Sequence, residues 1–198
     1  MRYAQIRQMD ISNGLGIGVA LFVQGCEFHC KGCFNSETWD FNGGKEFTDD
    51  TIDTILKLCD KPYITRLSIL GGEPLHPKNH YMVSKLCYKF KEKYPDKKIW
   101  LWTGYKLSEY WLHSQNVNLY KSYDGQLTFY IDYLVTGRYV EKLKNLNLRF
   151  RGSSNQKIYQ AMYDLKVNDY LGLTDITEQI DNNKENEASN RKDNNYYE

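Results

Sequence analysis

No proline- or glycine-rich linker and no internal repeat divides this chain, which has four prolines in 198 residues. At roughly 150 residues per domain, that length favours one domain with one core. An excess of charge is missing too: 26 Lys and Arg stand against 25 Asp and Glu, a formal charge of +1. Without a single-sign field, neither a nucleic acid nor a membrane surface is expected as a partner. The longest apolar stretch, 17–23, is interrupted by a glycine and falls far short of the ~20 residues a spanning helix needs. The opening MRYAQIRQMD lacks the basic start, apolar run and small-residue cleavage site of a secretory signal, so a cytoplasmic, reducing location is expected. Five cysteines is an odd number, and no disulfide framework explains why Cys26, Cys30 and Cys33 fall within eight residues.

The rest of the chain has a clear organisation. Residues 181–198 hold six Asn and eight charged residues but no Leu, Ile, Val or Phe, and are expected to be a disordered polar tail. Within 1–180, short apolar runs (Val19 to Val23, Arg66 to Leu70, Ile99 to Trp102, Leu127 to Val135) alternate with helical patterns. Ile52, Ile55, Leu56 and Cys59 recur at helical spacing, as do Met82, Val83, Leu86, Cys87 and Phe90. Asp49 or Asp50 is the expected cap of the first helix, and Pro95 closes the second. Such alternation predicts an α/β fold with parallel strands and helical crossovers, whose active site lies past the strands' carboxyl ends.

The connection from Gly25 to about Phe47 shows no helix or strand period, and a loop that long inside a compact domain is usually functional. It reads GCEFHCKGCFN, a C-x3-C-x2-C spacing. On a loop three thiolates can converge on one centre, whereas a strand would point alternate side chains apart. Three ligands are fewer than the four of a closed structural zinc site or an electron-transfer cluster, which suggests an open position. The same spacing is compatible with zinc completed by His29, Cys59 or Cys87, and with a chance grouping of three cysteines. Cys59 and Cys87 lie on apolar helix faces, where a Cys is usually a small core side chain.

This loop, followed by a strand ending in Gly71, Gly72, Glu73 and Pro74, resembles the radical S-adenosylmethionine superfamily. Adding WTGY (Trp102 to Tyr105), IDYLVTGRY (Ile131 to Tyr139) and RGSSNQ (Arg151 to Gln156), the chain over about 1–160 is similar to activating components of anaerobic ribonucleoside-triphosphate reductases. It departs from them in carrying Phe28 where a His is common, with His29 following, and in its Asn-rich tail. The resemblance implies a partial (β/α) barrel and a 4Fe-4S cluster on Cys26, Cys30 and Cys33, with S-adenosylmethionine chelating the fourth iron. It also implies a flavodoxin-like electron donor and, as partner, the large reductase subunit, on which a glycyl radical is made.

Under that resemblance Gly71, Gly72 and Glu73 approach the cofactor's methionyl group, where by themselves they read as a tight turn. Gly32, Cys33 and Phe34 flank the adenine; the plain alternative for Phe34 is a loop anchor. Thr103 and Asp132 match positions lining the cofactor or a nearby cation, and a carboxylate within an apolar strand needs a partner. Ser153 and Asn155 reach the ribose or carboxylate, or else form a polar turn. His76 is expected to pack near the site without acid–base work, and Trp100, Trp102 and Trp111 to be core and rim aromatics. The rival functions are activation of another glycyl-radical enzyme, such as pyruvate formate-lyase, and a non-catalytic zinc-binding interaction module. A missing fourth cysteine disfavours a simple electron carrier.

Overall fold

A computed structural model describes residues 1–109, 127–164 and 169–182. Trp111 and the tail from 183 onward lie outside the described residues. The elements run β1 (Arg2–Asp10), β2 (Ile17–Val23), β3 (Lys45–Glu46), α1 (Asp49–Cys59), β4 (Ile64–Gly71), α2 (Pro77–Lys93), β5 (Lys98–Thr103), α3 (Leu127–Tyr130), β6 (Tyr133–Thr136), β7 (Lys157–Asp164) and β8 (Asp169–Asp175). All eight strands form one sheet in the order β3-β1-β2-β4-β5-β6-β7-β8. The middle four, β2, β4, β5 and β6, are parallel, as the alternation predicts, and antiparallel pairs flank them on both sides.

Alternation along each parallel strand divides the buried residues between two faces. Val19, Leu21 and Val23 on β2, Leu67 and Ile69 on β4, and Ile99 and Leu101 on β5 meet Ile52, Ile55, Leu56, Leu86, Cys87 and Phe90 of α1 and α2. At ~1.5–3 kcal/mol per buried Leu, Ile or Phe, this face carries most of the stabilisation. The opposite face presents Ala20, Phe22, Leu70, Trp100 and Trp102. Trp100 stacks between Trp102 and Tyr133, with ring centroids 5.7 and 4.3 Å away. Below them the loop 11–16 closes the amino ends of the strands. There Arg66, fully buried, donates to Asp10 Oδ1 at 2.9 Å, to the Leu15 carbonyl at 3.1 Å and to Ser68 Oγ.

Several expectations change in detail. Residues 127–130 are helical and only 133–136 form a strand, because the apolar run 127–135 fits a buried helix turn as well as a buried strand. Thr48 caps α1, its backbone N–H donating to Thr51 Oγ1 at 3.1 Å, while Asp49 and Asp50 occupy the first turn, where the helix dipole favours them. Strands β1, β7 and β8 have no counterpart among the expected elements; β1 alternates too little and is mostly half-buried. The fold continues past 180 into a helical turn over 177–182, where Asp181 takes a two-pronged ion pair from Arg151 at 2.9 and 2.6 Å. No helix of the described residues is long and apolar enough to cross a membrane.

Candidate active site

The loop after β2 is tied back to its own beginning. Gly25 N–H donates to the Thr38 carbonyl at 2.8 Å, Cys26 N–H to Trp39 at 3.0 Å, and the Gln24 amide to the Glu37 carbonyl at 3.0 Å. Apart from a 3₁₀ turn (Ser36–Thr38) and the two residues of β3, it has no regular structure. Between the ties, Cys33 N–H donates to the Cys30 carbonyl at 3.0 Å, closing a turn in which Gly32 adopts φ +73°. A side chain at Gly32 would meet the Glu141 carboxylate, so this glycine shapes the turn from outside the cavity.

The three thiols open on one cavity of about 400 Å³, which Phe28, Phe34, Gly71, Gly72, Glu73, Trp102, Thr103, Gly104, Arg138 and Tyr139 also line. The glycine turn is bound to the cysteine loop: Gly72 N–H donates to Val23 and Glu73 N–H to Gly25, both at 2.8 Å. Gly71 sits at φ +105°, and a Cβ on Gly72 would stand 2.5 Å from the Gly25 carbonyl oxygen. Only glycines let the ends of β2 and β4 come this close.

Glu73 is fully buried, its carboxylate accepting from Leu75 N–H at 2.9 Å, the Thr103 hydroxyl at 2.8 Å and Gly104 N–H at 2.8 Å. Those donors are neutral, and burial pushes the carboxyl up to about 7. Thr103 thereby joins the end of β5 to the glycine turn. Burial also raises Cys26, to about 11. For Cys30, burial and the neighbouring Cys33 push upward against the Tyr139 backbone N–H and the Arg138 charge. Cys59 and Cys87 are fully buried under the sheet, away from the cavity, as their helical spacing predicts.

Other expected site residues sit differently. Asp132 lies at the amino end of β6, where Ile99 N–H donates to it at 2.8 Å and Lys91 and Lys98 pair with it at 2.7 and 3.2 Å. It is an anchor at the far end of the strands from the cysteines, and the structure does not bring it to the cavity. Ser153 is buried and accepts from Val140 N–H at 3.1 Å; Asn155 is exposed and donates to the Arg138 carbonyl at 2.9 Å. Both shape the segment carrying Arg138 and Tyr139 without lining the cavity themselves. Phe34 is 53% exposed and packs on Tyr139, with centroids 5.3 Å apart, so it is no core anchor. His76 caps α2 and its Nε2 meets Glu27 at 3.2 Å.

Phe28 is the most informative residue missing from the expected set. Its ring meets Tyr105 edge-on at 4.9 Å and carries the Arg138 guanidinium at 4.3 Å. The sequence signal was its place between the first two cysteines.

The donor set suits an iron–sulfur group. Three thiols share the cavity, while the oxygens of Glu73, the carboxylate beside them, are already occupied by hydrogen bonds. His29, a possible fourth ligand for zinc, instead packs on Trp39 at 4.7 Å. Among the described residues, no three His, Cys, Asp or Glu side chains are grouped to hold one metal ion.

Comparison with known proteins points to an iron–sulfur cofactor. Residues 12–159, which include all three cysteines and the glycine turn, match the family model described as a 4Fe-4S single cluster domain. The anaerobic ribonucleoside-triphosphate reductase-activating protein of Vibrio cholerae is 40% identical over 162 residues, 81% of this chain and 98% of that protein. Its namesakes from Escherichia coli K12 (40% over 161 residues, 80% and 98%) and Enterobacteria phage T4 (36% over 159 residues, 80% and 94%) align over nearly the same length. With its thiols and glycine turn opening on one cavity inside the matched residues 12–159, and with relatives of this identity and coverage, the chain belongs to the family of anaerobic ribonucleoside-triphosphate reductase-activating proteins.

Proposed function

We propose that this chain activates an anaerobic ribonucleoside-triphosphate reductase, using a 4Fe-4S cluster held by Cys26, Cys30 and Cys33 to cleave S-adenosylmethionine. The observation that carries this reading is the shared cavity of the three thiols and the Gly71–Gly72–Glu73 turn. When bound, the cluster and S-adenosylmethionine would supply one-electron reductive cleavage of the carbon–sulfur bond, releasing methionine and, once a hydrogen atom has been taken from a glycine of the reductase, 5′-deoxyadenosine, with the radical left on that glycine.

The chain's own residues prepare the place for that chemistry. Cys26, Cys30 and Cys33 would hold the cluster with one protein ligand fewer than a closed site has, which would leave room for the cofactor. Gly71 and Gly72 remove side chains where the methionyl group approaches the backbone, and Glu73, held by Thr103 and Gly104, fixes the turn and offers negative charge to an ammonium. Phe34, beside Cys33, offers a ring edge for the adenine, and Gly32 sets the turn that aims Cys30 and Cys33. Ser153 and Asn155 act through the segment they brace. Phe28 and Trp102 present apolar surface that limits water. In this reading the four parallel strands form the arc of a partial (β/α) barrel, the electron comes from a flavodoxin-like protein, and the reaction runs in a reducing cytoplasm.

Anaerobic reconstitution with iron and sulfide, then dithionite reduction with S-adenosylmethionine, is expected to release 5′-deoxyadenosine and methionine. Adding the reductase is expected to produce a glycyl-radical EPR doublet. A fully loaded preparation that cleaves no cofactor would refute the reading.

A further inference from the structure

The cavity does not end at the thiols. It continues along the inner face of the sheet, past Phe22, Leu70 and Trp102, to Arg7, Ser12 and Asn13. The Ser68 hydroxyl donates to the Asn13 carbonyl, and Ser68 stands three residues before Gly71 on β4. At ~3.3 Å per residue, this arm reaches about 10 Å from the glycine turn.

Its charges are unevenly matched. Four charged residues line the cavity: Arg7, Glu73, Arg138 and Arg151. Arg151 is paired with Asp181, and Glu73 is filled by its three donors. Arg138 stands over Phe28, on the side of the cysteines. Arg7, on β1, lies over the Phe22 ring at 4.4 Å and donates to the Gln5 side-chain oxygen at 3.3 Å. Among the described residues no carboxylate pairs with it. An arginine held flat on a ring with its outer edge free is suited to a carboxylate from another molecule.

Hydrogen abstraction requires the two carbons to be in van der Waals contact, so the reductase's glycine must enter the same cavity as the cofactor. A glycine segment has no side chain at the reacting residue and can lie flat against the half-buried Trp102, beside the Arg7 guanidinium that covers Phe22. We infer that the Arg7 arm seats the glycine-bearing segment of the reductase, with Arg7 pairing to a carboxylate on that segment. The inference rests on the function proposed above and adds to it the partner's binding surface, carried by a strand outside the parallel set.

The test titrates the cluster-loaded chain with the reductase, recording both the glycyl-radical doublet and 5′-deoxyadenosine. Arg7→Glu is expected to raise the half-saturating reductase concentration about tenfold or more and to lower the radical formed per 5′-deoxyadenosine released. Arg7→Lys, which keeps the charge but loses the stacked planar fork, should restore only part of the loss. An unchanged half-saturating concentration overturns the inference, as does a parallel fall of both products at constant ratio, which would place Arg7 in cofactor binding. If Arg7→Glu takes up no iron, Arg7→Gln decides by the same titration: a rise supports the inference and no change overturns it. A wild-type chain that releases no 5′-deoxyadenosine refutes the underlying function instead, so the two failures are distinct.

Discussion

Two carboxylates are buried against the same sheet and held in opposite ways. At the amino ends of the parallel strands Asp10 faces the Arg66 guanidinium at 2.9 Å and accepts twice more from Asn13, which holds its carboxyl below the usual range despite burial. At the carboxyl ends Glu73 is surrounded by neutral donors and is pushed up to about 7. The first arrangement is electrostatically complete and forms the floor of the fold. The second leaves a carboxyl without a counter-charge, beside three thiols, which under the function proposed above suits a cationic ligand and a metal group.

The largest test of this contrast is among the cysteines. Cys30→Ala is expected to abolish cluster binding and cofactor cleavage, read by iron content and the brown iron–sulfur absorption. Cys59→Ala and Cys87→Ala should keep the full iron content and cost about 1 kcal/mol each in a denaturant titration. Loss of iron in either would break the division between the two ends.

Next in size, Arg66→Ala leaves Asp10 buried and unpaired, and is expected to cost ~3–5 kcal/mol in chemical denaturation. Replacing both partners, as in Asp10→Asn with Arg66→Met, should cost less than Arg66→Ala alone.

The two carboxylates also predict opposite pH dependences. Glu73 has its folded pKa raised above its ordinary 4.5, so its contribution is fully present below that value and is lost as pH rises through about 7. Asp10 has its folded pKa lowered from 3.8, so its contribution is present above 3.8 and is lost as pH falls through the folded value. Thermal melts of the cluster-free chain between pH 4.5 and 7 should decline with rising pH. Glu73→Gln should flatten that decline and cost ~1–3 kcal/mol, because an amide cannot accept all three donors. An unchanged slope would show that Glu73 is not the group responsible.

The smallest effect is expected at Asp132. Asp132→Asn keeps the acceptor for Ile99 N–H and loses two lysine pairs, one of them largely exposed, for about 1 kcal/mol. Binding of S-adenosylmethionine to the loaded protein, measured by equilibrium dialysis, should be unchanged. A fall in affinity would return Asp132 to the cofactor site.

The parts of the fold legible in the sequence were those whose burial is continuous. Strands β2, β4 and β5 are buried on both faces and read as apolar runs; α1 and α2 each bury one stripe. β1 is mostly half-buried, with exposed residues from Arg7 onward, so its pattern carried little signal. The helical turn at 127–130 was hidden for a related reason, since LTFYIDYLV is apolar in either conformation and holds no breaker. For the site, the cysteine spacing and the glycine turn were visible because both are local. Phe28 showed only its position, and Arg7 showed nothing, because their surroundings come from distant segments.

By itself the sequence determined the clustering of three cysteines on one loop, the glycine turn and the helices that pack on one face, since each is written in spacings of a few residues. Tertiary structure alone decided that Arg66 closes on Asp10, 56 positions away, that Asp132 anchors the far end of the sheet, and that Arg7 reaches the cavity of the cysteines. The physical reason is that charge pairing and cavity walls depend on strand register and on which face a side chain takes, and those are set by packing between segments remote in the chain.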